Sequence, residues 1–120
     1  MDTAVANDFV ADLVQTTKAA WKNISTYKRP PEALNLAGHS NQTELWGTDS
    51  ALDFFETRWG EVAAHLLISA ESKRQHANIV MPTMGIRAEK QLNECIKQAL
   101  PGCTVTISCS VMRVDWTDLI

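Results

Sequence analysis

The stretch "NECIKQALPGCTVTISCSV", residues 93–111, holds all three cysteines of the chain, and thiols are the most reactive side chains it offers. Two thiolates share a zinc ion only when their sulfurs lie within about 4 Å of each other, given a Zn–S bond near 2.3 Å. Cys103 and Cys109 sit on a run with strand character, where a rise of roughly 3.3 Å per residue separates them by about 20 Å. A metal bound by this pair is therefore not expected, and no cofactor motif stands elsewhere. Cys95 and Cys103 are joined through a Pro-Gly turn, but packed layers lie about 10 Å apart and a disulfide needs Cα atoms within about 7 Å. Reduced thiols are the expectation. A catalytic thiolate needs a base and an electropositive setting, and nothing in the spacing brings His39, His65 or His76 to a cysteine. The three cysteines read as core filling, in line with the strong burial of free cysteine.

A second candidate is "IVMPTMGIRAEK", where a strand-like run passes into a helix-like one. Thr83 offers a cap oxygen at that junction, Gly85 opens the first turn and Arg87 follows. Free N–H groups at a helix start beside an arginine suit an anion. The third candidate is a surface. Trp46 lies in the polar run "HSNQTELWG", and Trp116 in "VDWTDLI" is followed by the apolar pair Leu119 and Ile120. Tryptophan that is not absorbed by a core anchors protein interfaces. Either the chain end docks on its own domain or it docks on a partner. Carboxylate pairs, Ser-His-Asp arrangements and H-E-x-x-H are absent, so no reaction is named and a non-enzymatic role is the lead.

Positioning these residues falls to a handful of elements. Residues 4–24 place Val5, Phe9, Leu13, Ala20, Trp21 and Ile24 at helical spacing, which puts Trp21 in the core. Pro31 to Ala37 reads as a short helix with proline first and Gly38 after it. Residues 39–47 are a loop with an edge strand at Thr43 to Trp46. Ser50 to Trp59 forms a helix with Leu52, Phe55 and Trp59 on one face, ended by Gly60. "EVAAHLLIS", residues 61–69, fits both periods; because a two-stranded sheet is marginal, it is assigned as a third strand beside 76–82 and 103–114. Ile86 to Leu100 has a helix stripe of Ala88, Leu92, Cys95, Ile96, Ala99 and Leu100. In 103–114 the residues Cys103, Val105, Ile107, Cys109 and Val111 face one way, and Thr104, Thr106, Ser108 and Ser110 the other. The expected fold is α+β: three N-terminal helical segments, then a ββαβ unit whose small antiparallel sheet packs on helices. A mostly α chain with a short hairpin is the alternative.

Composition bounds the function. The 120 residues, 45% apolar and 21% charged, fit one globular domain over 1–120. Net charge is −3 and no basic run exceeds two residues, which argues against nucleic acid as a partner. No apolar stretch reaches a membrane span and the N-terminus lacks a signal pattern, so a cytoplasmic protein without membrane contact is expected. The leading reading is a small protein-binding component: an adaptor, an inhibitor or immunity-type protein, or a subunit of a larger assembly. The alternative is a small-ligand or anion-binding protein, or a minor enzyme, using Thr83, Gly85 and Arg87.

Overall fold

A computed structural model of the chain describes residues 3–22, 31–36, 48–82, 84–108 and 110–120. The readings for Ile24, Gly38, His39, Trp46, Thr83, Cys109 and the strand at 43–46 lie outside the described residues. The fold is α+β, as expected: helices α1 (Thr3–Lys22), α2 (Thr48–Glu71) and α3 (Ile86–Ala99), strands β1 (Leu34–Asn35), β2 (His76–Val80), β3 (Thr104–Ser108) and β4 (Val111–Asp115), and a terminal 3-10 turn (Thr117–Leu119). The strands form one mixed sheet in the order β1-β2-β4-β3, with β1 parallel to β2 and the other pairs antiparallel.

Several elements differ from their reading in the sequence, each for a physical reason. Residues 61–69 are helix, not strand: they continue α2, whose buried side chains Val62, Leu66 and Ala70 follow helical spacing. Gly60 does not end the helix but lies within it. The missing strand comes instead from 103–114, which is a hairpin rather than one strand. Ser108 pairs with Val111, so the chain reverses between them, and Ser110 takes φ 63 there. That reversal puts Met112 and Val114 in the core and turns Val111 to the open face, opposite to the continuous alternation. Residues 31–36 are not helical; Leu34 and Asn35 lie beside Ile79 and Val80, where a strand pair satisfies main-chain groups that a helix would have satisfied internally.

The helices cover one face of the sheet. Ala77, Ile79, Val105, Met112 and Val114 point inward against Leu13, Leu66, Leu92 and Ile96. The stripe of α1 is offset from its sequence reading: Ala6, Val10, Leu13 and Thr17 are buried, whereas Val5 and Trp21 are 56% and 53% exposed. Spacing of 4, 3 and 4 residues keeps that face on α2, where Trp59 meets Phe9 edge-on at 6.3 Å and Phe55 at 5.3 Å. In α3 the reading holds, with Ala88, Leu92, Ile96 and Ala99 buried and Cys95 at the margin.

Candidate functional site

Trp116 is fully buried, with no surface left for a partner, which removes it from the interface candidates. Its indole Nε1–H donates to the Thr17 hydroxyl at 2.9 Å, and that hydroxyl donates to the Leu13 carbonyl at 2.9 Å. Its backbone N–H donates to the Gln75 carbonyl. The side chain therefore ties the end of the sheet to the middle of α1. From this anchor the chain makes one 3-10 turn, and Leu119 comes back onto the domain. Glycine is favoured at 102 by its φ of 87, and a Cβ there would lie 3.0 Å from a Leu119 methyl, which would have to shift by a few tenths of an ångström.

Leu119 thereby becomes one wall of a groove of about 600 Å³ along α1, lined by Val10, Val14, Gln15, Lys18, Lys22 and two alanines. The floor is apolar. Lys18 and Lys22, one helical turn apart, form the rim, and neither makes an ion pair among the described residues. Trp21 continues the Val10 and Val14 stripe beyond the groove, and Ile120 is 43% exposed. Of the four residues read as an interface, the structure thus brings Leu119 to a groove. Trp21 was missed because its spacing read as core, and the lysines because no partner was sought on that helix. Their i, i+4 spacing around a tryptophan was the available signal.

The anion candidates come apart. Gly85 is the N-cap of α3, with φ −71 and ψ 164, and no side chain caps the helix there. Arg87 is exposed, and neither residue lines the α1 groove or the polar cleft at the end of α2. A polar cleft of about 330 Å³ lies elsewhere, where α2 ends and β2 begins, and His65, Ser69, Arg74, His76 and Asn78 line it. It exists because β1 is only two residues long and covers β2 no further than Ile79. The turn that delivers Arg74 has paired closing bonds: the Arg74 N–H donates to the Ser69 carbonyl at 3.0 Å and the Lys73 N–H to the Ala70 carbonyl at 3.1 Å. This helix ending needs a left-handed residue, normally glycine, and here Lys73 holds φ 64. The signal in "AESKRQHANI" was hidden because residues 61–69 read as a strand, which left no helix ending to look for before 76–82.

Electrostatics distinguish the groups. Burial lowers the pKa of the His65 imidazole, partly offset by its hydrogen bond to the Asn78 backbone. Asp115, the register partner of His76, is held below its ordinary range, first by the Thr117 hydroxyl; burial opposes this, and the Thr117 N–H at 2.8 Å, Arg113 and His76 add to it. Cys95 and Cys103 are free thiols, and burial with the nearby Asp115 charge pushes Cys103 up to about 11, which leaves it protonated and a poor nucleophile. Among the described residues no three His, Cys, Asp or Glu side chains come together as metal ligands, and no helix is long and apolar enough to cross a membrane. No family model, no curated protein and no solved structure matches this chain.

Proposed function

We propose that the protein is a protein-binding component, an adaptor, inhibitor or assembly subunit, that receives an acidic amphipathic helix of its partner in the groove between α1 and the terminal 3-10 turn. The observation that carries this reading is an apolar floor beside two lysines on one rim, neither of them ion-paired among the described residues. An amphipathic helix docks by laying an apolar stripe into such a groove. Acidic residues flanking that stripe would meet Lys18 and Lys22, which speeds encounter and fixes orientation. Trp21 extends the contact as a rigid aromatic anchor of the kind that dominates interface energetics.

The test compares capture from the native host by the wild-type chain, by Lys18→Glu with Lys22→Glu, by Trp21→Ala, and by Arg113→Ala on the opposite sheet face. A partner retained by wild type and Arg113→Ala, and reduced about tenfold or more by both groove variants, is the expected result. This corresponds to the loss of at least about 1.4 kcal/mol typical of a contact residue. Equal capture by all four chains overturns the reading.

A further inference from the structure

The polar cleft at the α2–β2 junction is separate from the groove, and its lining residues have a consistent chemistry. Arg74 and His76 carry nitrogen groups that donate hydrogen bonds and Asn78 adds an amide, whereas the His65 imidazole is bonded to the Asn78 backbone and the Ser69 hydroxyl donates to the His65 carbonyl at 3.0 Å; among the described residues no carboxylate lines the space. The Nε–H of Arg74 is buried with no hydrogen-bond partner, and its guanidinium has no ion pair among the described residues. A buried, unpaired guanidinium donor is costly unless something accepts from it. Asp115, the nearest carboxylate by register, does not fill that role. It is engaged by Thr117 and lies 3.6 Å from Arg113.

The strand geometry adds donors. In the β2–β4 ladder the odd-numbered positions bond to β4, as shown by the Trp116 N–H to the Gln75 carbonyl and the Met81 N–H to the Ser110 carbonyl. The main-chain groups of His76 and Asn78 therefore turn to the opposite edge, which β1 covers only from Ile79 onward. Lys73, strained at φ 64, fixes the start of the segment that presents Arg74 and His76. Backbone held in an unfavourable region beside a cleft is a feature of ligand sites.

We propose that this cleft binds the oxyanion group of a small ligand, with Arg74 as the anchoring cation and His76 and Asn78 as further hydrogen-bonding groups. The size fits a small molecule at the low end of ligand cavities, and guanidinium pairs with both phosphate and carboxylate. This site is independent of the groove on α1, so either assignment can fail without the other.

Thermal unfolding in inorganic phosphate, in acetate and in chloride at equal ionic strength tests it. A ligand that binds only the folded chain raises Tm by linkage. We expect phosphate or acetate to raise Tm by about 3 °C or more over chloride at saturation, and the larger rise identifies the ligand class. Arg74→Gln should abolish the rise and Arg87→Gln should leave it intact. If Arg74→Gln does not fold, the Arg74 Nε–H resonance of the 15N-labelled wild-type protein serves instead, and it should move on adding the anion that raised Tm. No rise with either anion, a rise retained by a folded Arg74→Gln, or an unmoved Arg74 resonance overturns the proposal.

Discussion

Thr17 shows how much one hydroxyl can hold. It accepts the Trp116 indole N–H and donates to Leu13, with both partners buried. Valine has the same shape and no acceptor, so Thr17→Val leaves a buried N–H unmatched, while serine keeps the acceptor. The expected loss for Thr17→Val is about 1–3 kcal/mol, read from the urea midpoint at unchanged slope, with Thr17→Ser closer to wild type. Whether Trp116 anchors the core or meets a partner is thereby resolved by a residue 99 positions away. No local pattern connects the two, since a helical threonine ordinarily bonds its own preceding turn.

At the scale of elements, α2 carries two backbone positions with opposite expectations. Gly60 lies mid-helix, and no atom stands within 4 Å of where an alanine Cβ would sit, so Gly60→Ala should stabilise the chain by about 1 kcal/mol, measured as a raised denaturation midpoint. Lys73, at φ 64 in the helix ending, should gain about 1 kcal/mol on Lys73→Gly. A loss there would mean that the lysine side chain stabilises the turn more than its backbone strains it. The same helix shows why the sequence was only partly legible. Val62 and Leu66 satisfy a strand and a helix alike, and the choice rests on partners supplied by the β3–β4 hairpin. That hairpin was itself hidden, because the two residues between Ser108 and Val111 include no glycine or proline to mark a reversal. By contrast α3 was readable residue by residue: its apolar stripe has one period only, and Pro101-Gly102 closes it. The groove and the cleft were legible only as scattered residues, since both arise where elements end beside one another.

For the molecule as a whole, three shifted groups among the described residues shape how stability follows pH. His65 is lowered by burial, so the unfolded chain takes up its proton first as pH falls below the ordinary 6.5. Stability then declines toward acid, and Asp115, also lowered, extends the decline below its ordinary 3.8. Cys103 moves the other way: the unfolded thiol ionises near 9.0 while the folded one holds its proton to about 11, so stability falls as pH rises through that window. The curve should be domed, with its maximum between about pH 7 and 8.5. Unfolding midpoints across the acid and alkaline limbs check this: His65→Gln should flatten the acid limb and Cys103→Ser the alkaline one.

The bond from Trp116 to Thr17 also dictates an order of assembly. Joining points 99 residues apart costs on the order of 4 kcal/mol in chain entropy if the intervening chain is unstructured, and less once α2, α3 and the sheet have shortened the effective loop. The order expected is the sheet and its two central helices first, with α1 completing its packing once residue 116 has been placed. The helix that supplies the groove should then be the first to detach under mild denaturing stress. In hydrogen exchange its amides should open together, at a lower free energy than those of α3.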